Sequence, residues 1–550
     1  MTINLIKKPA FKLKTLVISL GLIQVMSFSS ITFAGERESL EQLKATTNSL
    51  IDLLVQEGIL SKDKADAMLK KATEDGAKQA QVLALQANSN EDGWAGNADD
   101  KSVRVQYVPE HVKKKLREEI KQEVLVQARD EKWAAPNVIP EWLDRISFNG
   151  DIRLRYEDDS YSSNNAAPAY FQAATQRYSD IKNTSEELRR ARLRARLGVD
   201  VKVNDWLTGG MRMTTGALNS PVSPNQTQQA SDAKYTIGLD RAYLKAKPNS
   251  WLMAEGGRFE NPYFSTDLVW DPDLAFDGVA ITANPQIGNG LSSFTTVGAF
   301  PLGVLEKTDA NNAKSKWMYA LQTGIKWESY NKSSIKVGLA YYDFQNVAGV
   351  SNPNTLNTYN ATVPAFRQKG NNTFDIDFAN GGGSGCAAGA ACKYGLASEF
   401  RDINLTGQID LATFDPVHVT LTGDYVRNVG FNQSDIFKRT GNVYKKENEG
   451  YQVKLDVGSP SFNAPKANQI KRNDWQVSLA YKRLEADAVL DGFTDSDFHL
   501  GGTDAKGWIL SGNYGIDKNT WLSARYFSSD SITGLPLGID VLLLDLNARF

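Results

Sequence analysis

Arg190, Arg192, Arg194 and Arg196 occupy every second position of one short stretch, and Arg153 and Arg155 share that spacing earlier in the chain. A period of two places side chains on one face of an extended strand. The intervening residues Ala191, Leu193, Ala195 and Leu197 are apolar, so one face is greasy and the other densely charged. Burying such guanidiniums in a dry core would cost several kcal/mol each unless they were paired. The charged face therefore looks into a hydrated space. One reading is a basic wall that draws anions, since the planar guanidinium fork suits carboxylate and phosphate. The other is an internal charge network that keeps the wall hydrated and rigid. Both put the arginines inside, and Arg212, Arg241 and Lys245 extend the same wall.

Carboxylates that match this wall stand in the segment 260–273, where Asp267, Asp271 and Asp273 lie beside Phe264 and Trp270. Folded inward, they would face the arginines and set a transverse field across a narrow passage. Left outside, the segment would be an ordinary loop with aromatic packing, or an acidic loop for Ca²⁺.

Catalytic and metal chemistry have little to work with. The chain holds three histidines, His111, His418 and His499, and two cysteines, Cys386 and Cys392. His418 shares a strand face with Thr420 and Thr422, and His499 precedes Gly501-Gly502; neither has an evident nucleophile and acid beside it. No catalytic residue, metal site or cofactor is expected. Cys386 and Cys392 bracket Ala-Ala-Gly-Ala-Ala in a Gly-rich stretch, and an oxidising compartment would join them in one local disulfide.

The 550 residues carry a net charge of -2, so no overall excess of either sign points to nucleic acid. After the first 35 residues no run of about 20 apolar residues occurs, which excludes a helical bundle in a bilayer. A barrel is not excluded, because its alternating strands average out as polar. The start of the chain reads as an export signal over 1–34. Lys7, Lys8, Lys12 and Lys14 precede the apolar stretch from Leu16 to Phe28, and Thr32-Phe33-Ala34 offers small residues before Gly35. Residues 35–140 read as a helical periplasmic region with a polar linker near 74–102. Leu40, Leu43, Thr47, Leu50 and Leu54 form one stripe, and Val112, Leu116, Ile120, Val124 and Ala128 another. Such stripes pack on each other or on the barrel, or self-associate in a short coiled coil.

From 141 to 550 the period is two. About sixteen strands are predicted, near 146–158, 187–203, 206–217, 234–247, 251–259, 274–283, 292–301, 316–328, 334–345, 399–412, 416–428, 449–457, 474–484, 507–515, 520–529 and 538–550. Short polar turns such as Asn204-Asp205 and Asp517-Lys518-Asn519 alternate with long polar segments. Trp206, Trp251, Trp475, Trp508 and Trp521 sit near strand ends, as interfacial girdles require. The final strand alternates Leu542, Leu544, Leu546, Ala548 and Phe550 with polar residues. The expected fold is an all-β, antiparallel outer-membrane β-barrel of about 16 strands with an N-terminal α-helical periplasmic extension.

With these features the chain resembles the family of putative porins that carry an N-terminal helical region. The likeness covers nearly the whole mature chain and is carried by segments such as YVPEHVKKKLREEIKQEV, GRFENPYFSTDLVWDPDLAFDGVA and EADAVLDGFTDSDFHLGGTDAKGW. The resemblance implies an outer-membrane channel for passive diffusion of small hydrophilic solutes and ions, seated in lipid; the arginine stripe, not the resemblance, points to a channel that is moderately anion-preferring or weakly selective. In general porins the connection corresponding to 260–273 folds into the lumen as the constriction. A homotrimer is implied by analogy with sixteen-stranded porins. Two alternatives are a phosphate- or oxyanion-selective channel and a structural envelope protein anchored by its barrel.

Overall fold

The computed structural model describes residues 145–174, 181–228, 231–353, 357–377, 393–463 and 470–550. The signal and helical region expected over 1–140, and Cys386 with Cys392, lie outside the described residues. Sixteen long strands form a closed antiparallel barrel. They are β1 (Ile146–Tyr161), β2 (Leu188–Lys202), β3 (Leu207–Thr215), β4 (Ile237–Ala246), β5 (Leu252–Glu260), β6 (Ala275–Ala283), β7 (Leu291–Gly303) and β8 (Lys316–Glu328). The second half comprises β9 (Ser334–Gln345), β10 (Phe400–Phe414), β11 (Val417–Asn428), β12 (Glu449–Gly458), β13 (Trp475–Leu484), β14 (Ala505–Asp517), β15 (Thr520–Ser531) and β16 (Gly538–Arg549). No helix among the described residues is long and apolar enough to cross a membrane.

Each strand pairs with its neighbour in sequence, and β1 pairs with both β2 and β16, which closes the sheet. Closure removes the unpaired edges that lipid could not satisfy. The seam is finished by the last residue: Gly150 and Phe550 exchange backbone hydrogen bonds of 3.0 Å in both directions. Gly150 is required there, because a Cβ would sit 2.6 Å from the Arg196 backbone carbonyl oxygen as well as 2.5 Å from the Phe550 ring.

Alternation decides the two faces. Ile152, Leu154 and Tyr156 are exposed on the outer wall, while Asp151, Arg153 and Arg155 are buried within. On β8, Tyr319, Leu321 and Ile325 point outward and Met318, Ala320 and Gln322 inward. Short turns are set locally. Asn204 Oδ1 accepts from the amides of Trp206 and Leu207 at 3.1 and 2.8 Å. Asn249 repeats the turn with Trp251 and Leu252 at 3.2 and 2.9 Å. The recurring Asn-x-Trp-Leu sequence folds the same way both times because the Asn side chain mimics a backbone turn.

Two details differ from the periodicity. Strand β1 runs to Tyr161 rather than ending near 158, since Glu157, Asp158 and Asp159 keep their register with Arg190, Arg189 and Leu188. Consecutive acids resemble a loop, but here cross-strand arginines hold them in the ladder. Trp206, Trp251, Trp475 and Trp508 are exposed on the outer wall, whereas Trp521 is 9% exposed and belongs to no outer girdle.

The inner face of β5–β9 carries an apolar patch. Phe259, Phe276, Phe300, Met318, Tyr342 and Phe344 belong to one buried cluster, so this part of the barrel offers a dry wall against which something else packs.

Candidate functional site: the loop-crossed lumen

What packs there is the connection between β5 and β6. Its aromatic side lies on the dry wall. The Tyr263 and Tyr342 ring centroids are 5.3 Å apart, those of Trp270 and Tyr342 5.1 Å, and those of Trp270 and Phe276 5.0 Å. Gln322 of β8 clamps the loop at two points, donating to the Phe264 carbonyl and accepting from the Phe264 amide, both at 2.7 Å. Asp424 of β11 accepts from the Thr266 amide at 3.0 Å and its hydroxyl at 2.6 Å. Farther round, Gln452 of β12 donates to Asp267 at 2.7 Å, and Lys482 of β13 pairs with Asp267 at 3.3 Å. The loop then reaches β2, where Asp273 accepts from Arg196 at 2.8 Å and pairs with Arg194 at 3.3 Å. A segment that touches β8, β11, β12, β13 and β2 of one closed sheet crosses its interior.

A second loop, joining β13 to β14, meets it there. The Ser496 amide donates to Asp271 at 3.0 Å, and the Asp271 amide donates to the Phe493 carbonyl at 2.8 Å. Asp497 takes Arg155 at 2.9 Å and Arg525 of β15 at 2.6 Å, and Asp495 lies 3.4 Å from Lys482. Above this loop a third segment supplies side-chain donors to its carbonyls. Gln368 reaches Asp491 and Thr494 at 2.8 and 2.9 Å, and Asn371 reaches Ala486 and Val489 at 2.6 and 2.8 Å. Lys369 donates to the carbonyls of His499 and Gly501.

The loop carboxylates divide by their partners. Burial penalises the charged form of Asp273 and Asp497. Nearby arginines outweigh it, chiefly Arg194 and Arg196 for Asp273 and Arg155 and Arg525 for Asp497, so both are held well below the usual carboxylate range. Asp271 reaches no cation; burial and then the neighbouring Asp273 and Asp495 push it well above that range.

A family model described as "Putative porin" matches residues 44–550. The chain belongs to this porin family. Porin family and barrel together make the protein an outer-membrane channel rather than pointing to an enzyme. No curated protein sequence matches it. Among solved structures, it is similar to OprB of Pseudomonas putida at high pH, with 14% identity over 76% of this chain and 97% of that one and a TM-score of 0.42. The outer-membrane channel DcaP of Acinetobacter baumannii is similar at 11% identity, covering 74% and 97%, with a TM-score of 0.37. Salmonella typhi OmpF in complex with daunomycin shares 10%, covering 74% and 97%, at 0.36.

In this porin the arginine stripe lines one inner wall. Arg190 pairs with Glu157 and Asp159, Arg192 with Glu157 at 2.8 Å, and Arg194 and Arg196 share Asp151 at 2.8 and 2.7 Å. Arg212 pairs with Asp240, Arg241 with Glu260 at 2.8 Å, and Lys245 with Glu255 at 2.7 Å. The expectation that Asp267, Asp271 and Asp273 all face this wall needs correcting. Asp273 alone does so; Asp267 crosses to Lys482, and Asp271 turns back onto the amides of Asp273 and Ser496. The loop reaches β13 with Asp267 and β2 with Asp273, two strands that have β14, β15, β16 and β1 between them.

His418 Nδ1 lies 2.9 Å from Asp410 on the inner face, and buried His499 Nδ1 lies 3.0 Å from Ser529 Oγ. Ser529 Oγ donates to the Ile539 carbonyl at 2.9 Å, so that pair is engaged in holding the wall. Sequence reasoning missed Asp497, Lys482 and Arg525. The only signal for them was the density of acids in Asp491-Gly-Phe-Thr-Asp495-Ser-Asp497 within a long polar segment.

Proposed function

We propose that this outer-membrane channel passes small hydrophilic solutes and ions by passive diffusion, with a weak preference for anions. The loop carrying Asp273 forms its constriction. The supporting observation is the loop's path: its aromatic side packs on the inner face of β5–β9, and it then crosses the interior to end on Arg194 and Arg196 of β2. A pore selects by width and by charge at its narrowest point. Here most guanidiniums already hold carboxylates, which favours weak selectivity over a strong field. On this reading Arg153, Arg155, Arg190, Arg192, Arg194, Arg196, Arg212 and Arg241 line the passage. Residues 35–140 form a periplasmic helical extension behind a signal at 1–34, and the barrel assembles as a trimer.

Single-channel recording on the purified protein in asymmetric salt tests pore, size and sign together. A folded barrel without conductance would leave a structural role as the better account.

A further inference from the structure

One guanidinium in the arginine wall differs from the rest. Arg155, Arg190, Arg192, Arg194 and Arg196 each reach at least one carboxylate. Arg153 is 8% exposed, and among the described residues its one hydrogen bond runs from Nη2 to the neutral side-chain oxygen of Asn225. Its Nε is buried with no acceptor. Directly across the ladder stands Arg194, a second cation, and Arg155 follows on the same face. The nearest carboxylates are taken: Asp151 and Asp273 by Arg194 and Arg196, and Asp545 by Arg155. A buried cation beside cations, capped by an amide instead of a carboxylate, lacks its counterion.

We propose that Arg153, with Asn225 as its displaceable cap, is an oxyanion-binding subsite of the lumen, taking the carboxylate or phosphate group of a permeating solute. Nε–H and Nη2–H form the lateral fork of a guanidinium, which grips two oxygens of a carboxylate or phosphate in parallel. Asn225 occupies one arm of that fork and leaves the other empty. An arriving oxyanion takes both and releases the Asn225 oxygen. Beyond Arg153, the Asn225 Nδ2 reaches Ser223 Oγ at 3.5 Å, the same hydroxyl that Arg192 reaches at 3.5 Å. A carboxylate at position 225 would fill the fork permanently; an amide leaves it open to exchange. The site deepens the channel reading and rests on it.

The test is competition of chloride current through the full-length protein in planar bilayers by acetate and by inorganic phosphate, with bromide as the spherical control. Calorimetric binding of acetate and phosphate to the folded protein in detergent runs beside it. Both oxyanions are expected to inhibit saturably and better than bromide. Arg153→Lys keeps the charge but loses the fork, and should weaken inhibition and binding about tenfold, the scale of one charge-assisted hydrogen bond. Asn225→Asp should weaken both at least as far by supplying a tethered competitor. Inhibition by phosphate alone assigns the site to tetrahedral oxyanions, and inhibition by both to the shared pair of oxygens; either supports it. Bromide as effective as phosphate, or inhibition and binding unchanged in both variants, overturns the site while the measured current upholds the channel. Absence of wild-type current overturns the channel reading, and calorimetry then decides the site separately.

Discussion

The Asp273 carboxylate lies 2.8 Å from Arg196 although 77 positions separate them in sequence. That contact fixes the far end of the lumen-crossing loop to β2 and adds a loop carboxylate to a wall where Asp151 and Glu157 already stand among the arginines. Asp273→Asn removes one negative charge from the aperture, so the reversal potential in a chloride gradient should move toward the anion side. Asp267→Asn should move it less, because Asp267 answers Lys482 on β13, outside the arginine stripe. An unmoved reversal potential in the variant lacking Asp267, Asp271 and Asp273 together would remove the loop from the selectivity of the pore.

The second loop is held to the wall by Asp497, which serves Arg155 and Arg525 at once. The Arg155 side chain is fully buried, and breaking a buried pair from one side costs roughly 3–5 kcal/mol. Asp545 still holds Arg155 at 2.7 Å, so Asp497→Asn should lose somewhat less than that. The temperature at which the folded barrel converts to its slower-migrating denatured form in detergent electrophoresis reads this out. Asp435→Asn is the control. Asp435 pairs with Lys438 on the exposed helix α1 (Gln433–Thr440), where both side chains are more than half exposed, and little or no change is expected there.

The strand pattern was legible because lipid outside and water inside impose a strict period of two. Phe148 to Tyr156 and Arg190 to Val203 showed both walls without any contact being known. The path of a loop carries no such period. Asp267 and Asp273 are chemically alike in sequence, yet Lys482 of β13 claims one and Arg194 of β2 the other, and only the closed barrel decides which. Asn225 was invisible for the same reason: a lone amide in a polar segment means nothing until Arg153 stands beneath it.

The outer wall makes its own prediction. Leu154 stands near the middle of the 16-residue β1, exposed, opposite Leu193 on β2 and Leu546 on β16. Leu154→Arg would put a charge against hydrocarbon at a cost of about 2–4 kcal/mol near the bilayer midplane. The polar inner face of the same strand already carries Arg153 and Arg155. Folding yield into lipid vesicles should therefore fall sharply for Leu154→Arg and stay close to wild type for Leu154→Ile.

The loop cap above the lumen should respond to pH through Asp491. Its carboxyl is pushed up to about 7, first by burial and also by Asp487, against the opposing pull of Arg367 and Lys369. The segment it anchors is tied by the Asn371 side chain, which accepts from the Asp491 amide at 2.8 Å. In the unfolded chain an aspartate titrates near about 3.9. Below that value both states hold the proton and the group contributes no slope. Between about 4 and 7 the unfolded chain ionises while folded Asp491 stays neutral, so stability falls as pH rises; above about 7 both are charged and the loss is complete. The denaturation temperature of the barrel should thus decline from pH 4.5 to pH 7 by this group's contribution, and Asp491→Asn should flatten that part of the profile. Asp273 and Asp497, held below the ordinary range, give the opposite sign and act only under more acid conditions, their stabilisation fading as pH drops below about 4. A profile equally steep between pH 4.5 and 7 in Asp491→Asn would assign the slope to other groups.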